Sequence, residues 1–242
     1  MKVVNLLVST ETIATLPHLR ETRYTSRRPT RGPELELVNG YVRDCLPLPP
    51  KGQARTVFIE PRLDSGFPDV VVVYWNLGTA SRWRETRVNL SMADIRVLHY
   101  LVYSGNTSTD RLRLLFKRGV SGTLDRLLEA DLVKNVGSAW RALPLRQIFA
   151  IRRLIAIEAK VNAWRPGLSQ ALQNTWFASE SYLLLPQIPK RSTLLEEALC
   201  FGLGVVTADR PLHQAETPAR TEELPKSYAS WLFNEWAWRA SI

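Results

Sequence analysis

The chain has 242 residues and is 45% hydrophobic, which suffices for one large core or for a core with a small additional module. Its 32 Lys and Arg residues outnumber its 23 Asp and Glu residues, and the formal net charge of +9 favours a polyanionic partner such as nucleic acid. No apolar run reaches the roughly 20 residues that cross a bilayer, and the beginning of the chain is too weakly apolar for a secretion signal. Cys45 and Cys200 each lie in apolar surroundings, which indicates buried free thiols and argues against a disulfide or a metal site. We therefore expect a cytoplasmic protein without a membrane partner.

The N-terminal segment combines an apolar stretch with a basic one. Val3–Val8 predicts a strand, whereas Arg20–Arg31 is rich in arginine and in turn residues. Two interpretations of the basic stretch stay open: a solvated loop, or an arm that contacts phosphate groups.

A helix is predicted over Gly32–Cys45, because the proline at its start is favoured in the first helical position. At helical spacing, Glu34 falls on the apolar face with Val38 and Tyr41. Glu34 therefore either faces a site beside the core or is a first-turn acid favoured by the helix dipole.

Two predicted strands follow this helix. Arg55–Pro61 is the first, and Val70–Tyr74 is a β-branched run that is too short for a helix. Gly66 and Pro68 end the connection between them, so Asp69 lies at the mouth of a buried strand.

Residues 85–145 have a pattern of their own. Ser91 is a suitable N-cap for the first element, and Gly137 marks a turn within the last one. The predicted elements are helices over Leu90–Tyr103, Ser108–Phe116 and Gly119–Ala130, followed by a β-hairpin over Leu132–Leu143. We expect this segment to fold around its own small core.

An apolar strand that carries two charged residues comes next, in the sequence LIAIEAKV. Residues two apart in a strand share a face, so Ile155 and Ile157 enter a core while Glu158 and Lys160 project together from the other side. Because unpaired charge is expensive to bury in such surroundings, this pair indicates a functional site.

The remaining elements alternate between helix and strand. They are an amphipathic helix opening near Gln170, a strand over Ser181–Pro186, a helix and strand within Thr193–Asp209, and a C-terminal helix over Ser227–Ala240. One side of the last helix holds Trp231, Leu232, Glu235, Trp238 and Arg239. This side either packs onto the core or makes an oligomer contact.

The residue types on these strands suit phosphodiester hydrolysis. The Glu158 carboxylate can hold Mg²⁺ if a second carboxylate joins it, and Asp69 is the obvious donor. Lys160 beside it can orient or deprotonate a water molecule. No glycine-rich phosphate loop occurs, so no nucleotide cofactor is expected.

Pro68-Asp69 at the start of one predicted strand, and Glu158-Ala159-Lys160 on a later one, resemble the motif of the PD-(D/E)XK nuclease superfamily. The resemblance covers roughly Pro33–Trp75 and Gln147–Asp209. It implies an α/β restriction-endonuclease-like core, with a central mixed sheet flanked by helices, that cleaves DNA with Mg²⁺ or Mn²⁺.

The resemblance also implies roles for individual residues. Asp69, Glu158 and the carbonyl of Ala159 would bind the metal, and Lys160 would position the attacking hydroxide or stabilise developing charge. Gln170 would orient the site or touch a phosphate. Glu34 would be a further acid close to the metal.

The order of elements in residues 85–145 resembles a winged helix-turn-helix, whose third helix usually enters the major groove. The candidate DNA contacts are Lys117, Arg118, Ser121, Thr123, Arg126 and Lys134. A protein-interaction or dimerisation role is the alternative for this module.

The sequence thus predicts a nuclease core over residues 1–84 and 146–242, interrupted by a winged-helix-like insertion over 85–145. The predicted function is metal-dependent endonucleolytic cleavage of DNA, in restriction, phage defence or mobile-element processing. The alternative is a non-catalytic DNA-binding or regulatory protein that uses the nuclease scaffold to present the winged helix. A second copy or a partner subunit that completes the site also stays open.

Overall fold

The computed structural model describes residues 5–6, 24–117, 119–190 and 192–242. The protein is an α/β protein with a large mixed sheet, a small antiparallel sheet and flanking helices, so the expected fold class is confirmed at this level. None of the helices in these ranges is long and apolar enough to cross a membrane.

The elements follow one another along the chain as three groups. The first group is β1 (Asn5–Leu6), α1 (Pro33–Asp44), β2 (Gln53–Ile59), β3 (Val70–Asn76) and α2 (Leu77–Ala80). The second is a 3-10 turn (Glu85–Asn89), α3 (Met92–Ser104), β4 (Thr107–Ser108), α4 (Thr109–Phe116), α5 (Val120–Glu129), β5 (Val133–Val136) and β6 (Ala139–Ala142). The third is α6 (Leu145–Ile148), β7 (Ile151–Ala159), α7 (Trp164–Asn174), β8 (Glu180–Leu185), α8 (Leu194–Phe201), β9 (Gly204–Thr207), a 3-10 turn (Leu212–Gln214) and α9 (Tyr228–Arg239).

The large sheet has the strand order β1-β2-β3-β7-β8-β9. Strands β2, β3 and β7 are antiparallel neighbours, whereas β8 and β9 run parallel to β7. Both faces are covered, which explains the continuous valine run of β3: Val70 and Val72 pack on the side of α1, and Val71 and Val73 pack on the other.

The second group forms the helices and the hairpin expected for residues 85–145. Ser91 and Asp94 make a reciprocal capping box at the start of α3, and Gly137 supplies the positive φ of 64° in the β5–β6 turn. The short strand β4, which the sequence did not predict, pairs with β6 and completes a sheet in the order β4-β6-β5.

The second group does not have the separate core that we expected. Ile95 and Leu98 of α3 belong to the same buried cluster as Val71 and Val73 of the large sheet. The two parts therefore share one continuous apolar interior.

Helix α9 lies at the centre of this shared interior, in contact with β3 and α3. Every residue from Ala229 to Arg239 is buried, so the helix is surrounded and does not merely rest one face on the core. The side of α9 that we considered for an oligomer contact, including Trp231 and Trp238, is therefore not accessible.

A buried ion pair joins α9 to the start of the second group and to α6, which follows that group. Arg87, in the 3-10 turn, donates from Nε to Glu235 Oε2 at 2.8 Å and from an Nη to Glu235 Oε1 at 2.6 Å. The same guanidinium donates to the Ile148 carbonyl at 2.7 Å and stacks 3.5 Å from the Trp83 ring centre. The Ala150 amide donates to Asn234 at 2.8 Å.

One predicted boundary is wrong. Helix α7 begins at Trp164 and not near Gln170, which lies well inside it. Pro166 falls in the first turn, where the missing amide hydrogen costs nothing, so the helix starts before a residue that usually ends one.

Glu235→Gln should lower the free energy of unfolding by about 3–5 kcal/mol, because it leaves the Arg87 guanidinium buried without its counter-charge. Denaturant unfolding followed by tryptophan fluorescence measures this loss. The matched control is Glu222→Gln, whose partner Arg220 lies 4.0 Å away at the surface, and its unfolding midpoint should stay close to wild type. Equal midpoints for the two variants would show that the buried pair does not hold α9.

Candidate active site

Strands β3 and β7 bring the predicted acids together. Val70 lies opposite Ile157 in the antiparallel register, so Asp69, directly before β3, and Glu158, near the end of β7, lie at the same edge of the sheet. Asp69 Oδ2 accepts a hydrogen bond from the Ala159 amide at 2.8 Å. The pairing of backbone groups thus fixes the Asp69 carboxylate beside the Glu158-Ala159-Lys160 motif.

Glu158 is almost completely buried, with 3% of its surface exposed. Asn174 of α7 donates from Nδ2 to Glu158 Oε1 at 2.6 Å. The other oxygen, Oε2, is buried and receives no hydrogen bond from the described residues. Such an oxygen is costly to bury unless it carries a proton or binds a cation.

The protonation of Glu158 follows from its surroundings. Burial raises the pKa of Glu158 to about 8, with further contributions from the Asp69 charge and from a hydrogen bond between the two carboxyl groups. The Asn174 hydrogen bond and the Lys160 charge oppose this rise. At neutral pH the carboxyl group therefore holds a proton that a bound cation would have to displace.

Burial likewise raises the pKa of Asp69, against the Ala159 amide and Lys160, which favour its ionised form. Glu60 and Glu34 add to the rise because their negative charges lie nearby. The edge of the sheet thus gathers acidic groups whose mutual repulsion a divalent cation would relieve.

Lys160 lies between two of these acids. Its Nζ is 3.8 Å from Glu34 Oε2 and 4.0 Å from Asp69 Oδ2, so the first turn of α1 does bring Glu34 to the site. Helix α7 packs on the lysine stem at Gly167, where an added Cβ would lie 2.5 Å from Lys160 Cγ. A glycine at this position is therefore required for α7 to approach the motif.

Three residues that the sequence analysis did not select also shape the site. Asn174 occupies a buried position of α7, and a polar residue on the apolar side of an amphipathic helix was the available signal. Glu60 follows β2 with a positive φ of 45°, and its amide donates to the Asp69 carbonyl at 3.0 Å. Arg27 pairs with the Glu60 carboxylate. Long-range contacts of this kind leave little trace in a single sequence.

Gln170 is exposed on α7, one turn before Asn174. The contact with Glu158 that orients the carboxylate is made by Asn174. Gln170 therefore faces solvent near the site.

The donors available to a cation are oxygens. Within the described ranges, no group of three or more His, Cys, Asp and Glu side chains is arranged to hold a metal ion. Asp69 and Glu158, with the Ala159 carbonyl, would supply two carboxylates and one neutral oxygen. This set suits Mg²⁺, which keeps several water ligands and commonly binds one or two carboxylates.

The predicted DNA contacts of the second group are placed unequally. Lys117, Ser121 and Lys134 are exposed, and Arg118 lies outside the described residues. Thr123 is buried, so its side chain is not available to DNA. Arg126 donates to both oxygens of buried Asp94, at 2.9 and 2.7 Å, and therefore holds α5 against α3.

No protein-family model, no curated protein and no solved structure matches this chain. What the site can do therefore follows from its own donors, charges and burial. These are a buried carboxyl with a free oxygen, a second carboxylate held by a backbone amide, and a lysine within about 4 Å of the latter.

Stability should depend on pH through Glu158. Its pKa is raised from 4.5 to about 8 in the folded protein, so between these values the folded state binds more protons than the unfolded state. The free energy of unfolding then falls as pH rises through this window. Glu158→Gln removes the titrating group, so the wild type should lose on the order of a few kcal/mol relative to the variant between about pH 5 and pH 8.5. Parallel stability curves from denaturant titrations would contradict the raised pKa.

Proposed function

We propose that the protein is a metal-dependent nuclease that cleaves DNA phosphodiester bonds, built on a restriction-endonuclease-like core of the PD-(D/E)XK type. The observation that carries the proposal is the buried Oε2 of Glu158, which receives no hydrogen bond from a donor among the described residues and lies beside Asp69 and Lys160. A merely structural carboxyl would gain stability from a donor at this oxygen, whereas a metal ligand needs it free.

Asp69, Glu158 and the carbonyl of Ala159 would hold Mg²⁺ or Mn²⁺. When bound, the cation lowers the pKa of a water ligand and polarises the phosphate. Water adds to phosphorus as the bond to the leaving sugar oxygen breaks, and that oxygen takes up a proton. The protein's part is to fix the two carboxylates at the sheet edge and to exclude other donors from Glu158.

Lys160 is suited to orient the attacking water or to stabilise the charge that develops on the phosphate. Its ammonium lies close to the Asp69 and Glu34 carboxylates, which hold it in place. Gln170, exposed one turn from Asn174, is available to contact a phosphate group.

Three features favour DNA as the substrate. The chain has a net charge of +9. The order of α3, β4, α4, α5 and the β5–β6 hairpin resembles that of a winged helix-turn-helix. Lys117, Ser121 and Lys134 remain exposed on this module. Restriction, phage defence and mobile-element processing all require a cut of this kind.

Asp69→Asn, Glu158→Gln and Lys160→Met should each abolish Mg²⁺-dependent cleavage of plasmid DNA. Loss of a group that merely supports a metal ligand costs about 10–100-fold, so loss of a direct ligand should cost more than about 100-fold. The controls are Lys51→Met, in the turn at the other end of β2, and Glu36→Gln, exposed on α1. Cleavage by the three variants at the rate of the controls would contradict the proposed site. Absence of cleavage by the wild type would favour the non-catalytic DNA-binding alternative.

Metal binding should be visible as thermal stabilisation. A cation that binds the folded state, at a concentration about 100 times its Kd, stabilises it by about 2.7 kcal/mol and raises the Tm by about 5–10 °C. Mn²⁺ should raise the Tm of the wild type and leave that of Glu158→Gln unchanged. A flat response of the wild type, together with no heat of binding in calorimetry, would mean that the chain by itself has no competent metal site.

A further inference from the structure

A basic segment, Tyr24–Arg31, is fixed along one side of the candidate active site. The Arg27 amide donates to the Glu60 carbonyl at 3.1 Å, and the Arg62 amide donates to the Thr25 carbonyl at 2.8 Å. The Tyr24 ring anchors the beginning of the segment in the core, 5.0 Å from the Trp236 ring centre. The segment is therefore fixed to the protein by backbone pairing and packing while its arginine side chains stay exposed, and residues 20–23 of the basic stretch lie outside the described residues.

The other end of the segment also leads into the site. Arg31 precedes Glu34 by three residues, and the Glu34 carboxylate is 3.8 Å from Lys160 Nζ. Since consecutive Cα atoms are about 3.8 Å apart, Arg31 lies within about 11 Å of Glu34, and Arg28 lies one such step from Arg27. Residues 28–31 thus run between two points of attachment to the same site.

Most of the arginines in this segment and beside it have no ion-pair partner among the described residues. Arg27 pairs with Glu60, which raises the pKa of Arg27. Arg28, Arg31 and Arg62 are exposed, and none of the three forms an ion pair with the described residues. The nearby Glu60 and Glu34 are already paired with Arg27 and Lys160, so these three guanidinium groups are open to an external anion.

We propose that Arg28, Arg31 and Arg62 form a phosphate-binding rim, which holds the DNA backbone next to the bond that is cut. The proposal rests on the proposed function in taking DNA as the substrate. Guanidinium groups match phosphate oxygens in a two-point geometry, and they offset the repulsion between the phosphates and the acids of the site. Arg27 is a positioning residue, because its pair with Glu60 fixes the segment.

The rim is tested by DNA binding without cleavage, in the Glu158→Gln background and in EDTA. Arg28→Gln/Arg31→Gln should lower the slope of log affinity against log salt by about two units, because each lost phosphate contact removes about 0.9. The matched control, Arg82→Gln/Arg146→Gln, removes the same charge beside α2 and α6 at the opposite end of β3 and β7, and should keep the slope. Arg28→Lys/Arg31→Lys keeps the charge and should retain most of the salt dependence.

The outcomes separate the rim from the nuclease. An unchanged slope for Arg28→Gln/Arg31→Gln, or an equal fall for the control pair, overturns the rim whether or not the wild type cleaves DNA. A fall confined to the rim variant supports the rim even if the wild type never cleaves. A circular dichroism melt that matches the background protein shows that the rim variant is folded.

Discussion

The buried pair between Arg87 and Glu235 is the interaction on which the arrangement of the molecule depends. Both charges are removed from water, and the guanidinium contacts a carboxylate, a carbonyl and an aromatic face, while its Nη1 has no hydrogen-bond partner among the described residues. Arg87 stands where the chain leaves the large sheet, and Ile148 stands where it returns. One guanidinium therefore fixes against α9 both segments that connect the large sheet to the second group. The orientation of the second group relative to the sheet follows from this contact.

Helix α9 also supports the candidate site, through its contact with the basic segment. Trp236 contacts the Tyr24 ring, and Tyr24 in turn contacts Phe58 of β2, so α9 supports the basic segment as well as the sheet. Strand pairing fixes the positions of the acids at the sheet edge, and burial beneath α7 raises the pKa of their carboxyl groups. The position of the carboxylate oxygens and the raised carboxyl pKa therefore depend on α9, the sheet and α7, and not on the motif residues alone.

The secondary-structure elements that could be predicted from the sequence are those that short-range periodicity determines. The β-branched run of β3, the proline-started α1 and the strand of Glu158 were placed correctly, because apolar spacing decides them locally. The start of α7 was misplaced, since Pro166 and Gly167 are typical of loops. Asn174 and Glu60 were missed because their partners lie far away in sequence. Thr123 was assigned to DNA because nothing local reveals that the core buries it, and the pair of Arg126 with Asp94 was missed for the same reason.

The central position of α9 also has a consequence for how the protein is made. The helix is synthesised after every strand of the large sheet, yet it supplies the aromatic residues that cover one face of β3. During translation that face stays open to water and to chaperones until residues 228–239 have left the ribosome tunnel. A chain that lacks this helix, nascent or prematurely terminated, therefore contains the acids of the site without the support that aligns them.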